Sequence, residues 1–119
     1  MKFNKLSMLI ILTITIFSCS TAYKTVSAKM PDLTLIENGI YRGNYDMVST
    51  PVKATVDVVV HDHQIIKIDI VEHSSSPIGK KAERIIDNII SSQSLDVDVI
   101  SGATVSSKTI LKAVENAIQ

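Results

Sequence analysis

Apolar and polar residues alternate through the middle of the chain. Val52, Ala54, Val56, Val58 and Val60 interleave with Lys53, Thr55, Asp57 and His61. A period of two predicts a half-buried strand, because successive side chains point to opposite faces of a sheet. Val59 falls on the otherwise polar face. A tight connection, Asp62-His63-Gln64, leads to another strand over residues 65–73, with Ile66, Ile68 and Ile70 on one side and Lys67 and Asp69 on the other. Upstream, residues 39–45 read as a first strand, with Tyr41 and Tyr45 sharing a face and Gly43 between them. After Ser74-Ser75-Ser76-Pro77 the period lengthens. Ala82, Ile85, Ile86, Ile89 and Ile90 form one helical stripe and predict a helix over residues 79–91. Residues 95–100 suggest a short strand. Residues 104–118 predict a second helix that buries Ile110, Leu111, Val114, Ala117 and Ile118. The fold expected is α+β, an antiparallel sheet with two helices packed on it.

The N-terminal pattern is different. Met1-Lys2-Phe3-Asn4-Lys5 gives a short cationic start, and residues 6–17 are apolar except for Ser7, Thr13 and Thr15. That run is shorter than the ~20 residues of a membrane span and fits the apolar core of an export signal. Cys19 is the only cysteine, so the chain forms no internal disulfide. Its place after Thr15-Ile16-Phe17-Ser18 resembles a bacterial lipobox, which makes Cys19 a lipidation site. Ser20-Thr21-Ala22 and Val26-Ser27-Ala28 offer ordinary signal-peptidase sites as the alternative. The organisation expected is a signal peptide over residues 1–18, a lipidated cysteine and tether over residues 19–32, and a domain over residues 33–119. Either cleavage puts the mature domain outside the cytoplasm, and the lipoprotein reading anchors it to membrane lipid through Cys19.

Charge excludes one class of function. Twelve basic residues face twelve acidic ones, and cleavage before Cys19 leaves ten against twelve. Trp is absent and aromatic residues make up 4% of the chain. A nucleic-acid partner calls for a basic stripe or stacking aromatics, so none is expected.

One segment carries candidate chemistry: Asp98-Val99-Ile100-Ser101-Gly102-Ala103-Thr104-Val105-Ser106-Ser107. It runs from a strand end through small residues into a helix start. Gly102 permits a turn that strains larger residues. The first turn of a helix presents unpaired N–H groups and partial positive charge, a setting that suits phosphate. Thr104 supplies a hydroxyl there, beside Ser106 and Ser107. Thr104 is equally readable as an ordinary N-cap, and spacing alone does not reveal a flavin.

This segment resembles the attachment motif of the FMN-binding domain family. Members include a flavin-carrying subunit of sodium-pumping NADH:quinone oxidoreductases, its counterparts in Rnf-type electron-transfer complexes, and bacterial lipoproteins. Gln93-Ser94, Glu72-His73 and the helix around Ala82 extend the resemblance over residues 38–119. It implies an extracytoplasmic electron carrier, not itself an enzyme, with FMN attached covalently through a phosphoester to Thr104. It also implies a separate Mg²⁺-dependent flavin transferase that takes FMN from FAD, and membrane or extracellular redox partners. In this reading Ser101, Gly102 and Ala103 form the recognition loop. Asp98 orders that loop or is read by the transferase, and Ser107 and His73 complete the cofactor-binding set. The chain lacks the glycine often found at the family's hairpin tip. It also has only Pro77-Ile78-Gly79 where members from membrane complexes carry a fuller loop. Both differences point to the small lipoprotein branch.

His61 and His63 flank Asp62, but two ligands on a hairpin tip do not close a metal site, and no metal is expected. Two other functions stay open: a module that binds a ligand or protein without flavin, and a regulatory or structural subunit of a membrane oxidoreductase.

Overall fold

A computed structural model describes residues 22–119. The expected export signal, Cys19 and the first part of the expected tether lie outside the described residues. Three antiparallel strands, β1 (Gly39–Asp46), β2 (Lys53–His61) and β3 (Gln64–Ser74), lie in the order β1-β2-β3. Two helices follow, α1 (Ile85–Ser92) and α2 (Thr104–Ile118). The fold is α+β, as the alternating and helical patterns predict. Among the described residues no helix is long and apolar enough to cross a membrane.

The core lies between one face of the sheet and the helices. Ala54, Val56, Val58 and Val60 of β2 are buried, together with Ile85 and Ile89 of α1 and Ile110 and Val114 of α2. α2 packs across β1 and β2, α1 against β3. Gly43 sets the closeness of that packing. A Cβ there would sit 2.1 Å from the Ala113 carbonyl oxygen and 2.4 Å from the Ala117 nitrogen. Only a residue without a side chain lets β1 and the α2 backbone meet at this distance. The opposite face of the sheet mixes charged residues with the exposed Ile40, and Arg42 there grips Asp57 in a two-point ion pair at 2.8 and 2.9 Å.

β3 departs from strict alternation. Val58 pairs with Ile68 and Val60 with Ile65, and register shifts fall between Val59 and Val60 and between Thr55 and Val56. Each shift inserts one extra residue on β3. Ile65 therefore joins Ile68 in the core, while Ile66 and Val71 are about half exposed. The expectation that Ile66, Ile68 and Ile70 share a face is corrected by these bulges. The two-residue turn after β2 places Asp62 and His63 at φ 51° and 63°. Positive φ at both positions is the type I′ geometry that twists correctly for a hairpin. Asn38 Oδ1 accepts from the Asp62 N–H at 2.8 Å, and the His63 ring lies 3.0 Å from the Leu33 carbonyl. The tip is thus tied to the chain before β1.

Two further expectations are corrected. Gly79–Arg84 is a 3₁₀ helix, and α1 proper begins at Ile85. Residues 95–100 form no strand, although Leu95 is buried and Val97 and Ile100 pack on the core. The Ile65 end of the β3 edge is taken. Gln93, left-handed at φ 52°, accepts from the Ile65 N–H and donates to the Ile65 carbonyl, both at 2.8 Å. Its amide thus fills the pairing position beside β3.

Residues 22–36 run alongside α2 in the same direction. The 3₁₀ turn Ala22–Thr25 receives the Lys108 ammonium on its Tyr23 and Lys24 carbonyls, at 3.4 and 3.0 Å. Farther on, the Glu115 carboxylate accepts from the Lys29 N–H, and Ala28, Met30, Leu33 and Ile36 pack on the core. Within the stretch expected to be a tether, the described residues are docked against the domain.

Candidate functional site

Ile100-Ser101-Gly102-Ala103 is a tight turn closed by the Ala103 N–H donating to the Ile100 carbonyl at 2.9 Å. Gly102, third in the turn, has φ +80°, as a type II turn requires. A Cβ on Gly102 would meet nothing within 4 Å. Glycine is therefore needed for backbone conformation, and the space beside it is open.

Ser107 holds the turn from inside. It is fully buried, and its Oγ accepts from the Ile100 N–H at 3.0 Å and donates to the Ala103 carbonyl at 2.7 Å. One hydroxyl therefore joins the entry and exit of the turn to the first turn of α2. Ser107 acts on the site by shaping it, since its oxygen is used within the protein. Asp98 is exposed and makes no hydrogen bond among the described residues. Of its two expected roles, ordering the loop falls to Ser107.

Thr104 is the first helical residue, and the cap position belongs to Ala103, which makes no side-chain capping bond. The N-cap reading of Thr104 is corrected accordingly. Its half-buried hydroxyl has no hydrogen-bond partner among the described residues. The N–H groups of Thr104, Val105 and Ser106 precede the first internal helix bonds and have no protein acceptor among those residues.

Thr104, Gly102, Ala103, Val105 and Ser106 line a cavity of about 380 Å³, with Tyr23, Val52, Ser76 and Gly79 completing it. Gly79 backs closely onto α2: a Cβ there would lie 2.6 Å from Ser106 Oγ and 2.8 Å from Ser75 Oγ. Among the described residues the lining holds no carboxylate, imidazole or amine, so these residues offer neither a carboxylate or imidazole base nor a cation. Ser101, second in the turn, is exposed and does not line the cavity. The His73 ring is 1% exposed, also off the cavity, with Nδ1 3.1 Å from Glu83 Oε1. His73 Nε2 is buried without a hydrogen-bond partner among the described residues. The structure therefore gathers Gly102, Ala103 and Thr104 at the cavity, puts Ser107 behind them, and leaves Asp98, Ser101 and His73 outside.

Tyr23 and Val52 were not legible as site residues, because one lies in the apparent tether and the other reads as core alternation. A larger hollow, about 510 Å³, lies at the other end of α2 among Pro31, Leu35, Ile36, Tyr41 and Ile118. It contains no residue of the Ser-Gly-Ala-Thr run, so chemistry and not size selects the smaller one.

This fold and turn fit a domain that holds a phosphate-bearing cofactor at the start of α2. The chain belongs to the FMN-binding domain family, whose model matches residues 48–119. Its similarity to a protein named NADH:acrylate oxidoreductase from Vibrio harveyi is 43% identity over 53 residues. That stretch is 44% of this chain and 5% of the relative, so the chain spans a small part of the relative's length. Membership makes FMN the cofactor, and the site fits it: an unpartnered hydroxyl and unpaired N–H donors suit a phosphate, and the adjoining cavity offers room for a ring.

Proposed function

We propose that the chain is an extracytoplasmic electron carrier with FMN esterified through its phosphate to Thr104. The observation that carries the reading is the Thr104 hydroxyl, unpartnered among the described residues, at a helix start whose first N–H groups lack protein acceptors. In the attachment, Thr104 Oγ bonds to the FMN-side phosphorus of FAD. The pyrophosphate P–O bond breaks, AMP leaves with the bonding pair, and the hydroxyl proton passes to a base. No lining residue is suited to be that base, which supports a separate transferase that also supplies the metal ion. Turn residues 100–103 would present Thr104, and the exposed Asp98 would be read by the transferase. The N–H groups of Thr104, Val105 and Ser106 would hold the phosphate, aided by the dipole of α2. Bound FMN supplies the electron transfer, while the protein supplies position and surroundings.

The cationic start, the apolar run of residues 6–17 and Cys19 support export and lipidation, with redox partners at the membrane. Cys19→Ser should abolish membrane attachment of the mature protein. The central test is intact mass after co-expression of the full chain with a flavin transferase. The unmutated chain and Thr104→Ser should gain one FMN phosphoester, with fluorescence that survives denaturation. Thr104→Val keeps the branched shape, disturbs no cap, and should take none. Labelled, folded Thr104→Val would overturn the assignment. Failure of the unmutated chain to label would leave the binding-module reading in its place.

A further inference from the structure

The residues matched by the family model begin at Val48, yet the cavity beside Thr104 is completed from much earlier in the chain. Tyr23 lines it, half-buried, from the 3₁₀ turn Ala22–Thr25. This segment is a closed turn with two attachments to α2. The turn closes on itself through the Val26 N–H to the Tyr23 carbonyl at 3.2 Å and the Thr25 hydroxyl to the Ala22 carbonyl at 3.0 Å. Lys108, one helical turn beyond Thr104, donates to the carbonyls of Tyr23 and Lys24. Farther along, Glu115 accepts from the Lys29 N–H, while Ala28 and Met30 pack on the core. The cation meets the carbonyl end of a helical turn, which is the favourable polarity.

The lining of the cavity is otherwise small or aliphatic: Val52, Gly79, Gly102, Ala103 and Val105, with serines and Thr104. Among the described residues Tyr23 is therefore its one aromatic lining residue, and it shares the cavity with Thr104. Flat aromatic systems in contact prefer offset-stacked or edge-to-face packing.

We propose that Tyr23 is a contact residue of the flavin ring, and that the segment before the matched domain is a wall of the cofactor site clamped by Lys108. The proposal rests on the reading of Thr104 as the FMN site. A phenol touching an isoalloxazine donates an electron to the excited flavin and returns it without emission, so the bound flavin should be dim. Indole does the same, whereas a phenyl ring is too poor a donor.

The full chain and its Tyr23→Phe, Tyr23→Trp and Lys108→Gln variants are co-expressed with a flavin transferase. Labelling is measured first by intact mass, and emission is then compared per mole of bound flavin in the folded state. Tyr23→Phe should brighten the flavin several-fold at unchanged labelling, and Tyr23→Trp should stay dim. Lys108→Gln leaves the aromatic residue in place but frees the turn. It should brighten the flavin and raise its quenching by iodide. Absence of an FMN mass on the unmutated chain would sink the Thr104 reading and this proposal with it. A normal FMN mass with equal emission from the unmutated chain and Tyr23→Phe would overturn the Tyr23 contact alone. Normal labelling with unchanged emission and iodide access in Lys108→Gln would overturn the clamp.

Discussion

Ser107→Ala removes one buried oxygen and should disturb both stability and labelling. The oxygen has two partners. The Ala103 carbonyl keeps a second bond, from the Ser107 N–H at 2.9 Å, so losing the hydroxyl leaves it satisfied. The Ile100 N–H has no other acceptor among the described residues and is half-buried. Leaving such a donor unpaired costs about 1–3 kcal/mol. Alanine returns about 0.5 kcal/mol through its better helix propensity. A net loss of about 0.5–2.5 kcal/mol is expected, which in a domain of this size lowers Tm by roughly 2–20 °C. Because the lost bond ties the turn to α2, the Ile100 amide should also exchange with solvent faster than in the unmutated protein. Flavinylation should slow although Thr104 is untouched. Thermal unfolding of the unlabelled protein and amide exchange by NMR measure the two effects. A Tm within about 2 °C of the unmutated value, with Ile100 exchange unchanged, would show that Ser107 does not brace the turn.

Other sites give sharper or opposite outcomes. Gly43→Ala forces a methyl group into the α2 backbone and should cost about 3 kcal/mol or more, read by chemical denaturation, since overpacking against backbone has little relief. Gly102→Ala meets no neighbour, so its cost should be only the ~1–2 kcal/mol of left-handed backbone, and Gly102→Asn should recover part of it; equal losses in both variants would contradict the φ argument. His63→Gly should stabilise the I′ turn by up to about 1 kcal/mol, less whatever the His63 contact with the Leu33 carbonyl contributes, as measured by thermal unfolding. Burial disfavours ionisation of Glu115, but the Lys112 ammonium and the Lys29 N–H outweigh it and hold the carboxyl below its ordinary value. The folded pKa is therefore below the unfolded one, so the Glu115 contribution is present above the ordinary glutamate range and disappears as pH falls through the folded value. Protection of the Lys29 amide, taken relative to its intrinsic exchange rate at each pH, should fall over that acid window, and Glu115→Gln should remove this pH dependence.

The sheet was legible because β2 alternates cleanly over its whole length and a period of two has one reading. β3 was legible as an element but not in phase, since bulges at Ile66 and Val71 depend on pairing with β2. The stripe of Ala82, Ile85 and Ile89 located a buried helical face, yet could not tell a 3₁₀ turn from α-helix, because the spacing changes little over one turn. Residues 95–100 mimic a strand in their apolar spacing, yet they pack Leu95, Val97 and Ile100 on the core without pairing, while the Gln93 amide takes the Ile65 position of β3. At the site, the motif itself could be read along the chain. The division of labour between a Thr104 hydroxyl that is unengaged and a Ser107 hydroxyl that is fully used requires the turn in space. The docking of residues 22–30 is written in side chains scattered between Tyr23 and Glu115, which no local pattern connects.

Docking of that segment alters how far the flavin could travel from a membrane. Were the domain to begin at Leu33, a lipid on Cys19 would leave a leash of roughly 48 Å when extended. With Tyr23 already fastened by Lys108, four peptide links remain between Cys19 and the wall of the cavity, a reach of about 14 Å. On the lipoprotein reading the carrier is held almost flush with the bilayer, its cavity always near the headgroups. It would then search for partners by lateral diffusion in two dimensions and exchange electrons with proteins or quinones at that surface, and a flexible spacer inserted between Cys19 and Ala22 would widen its range to soluble partners.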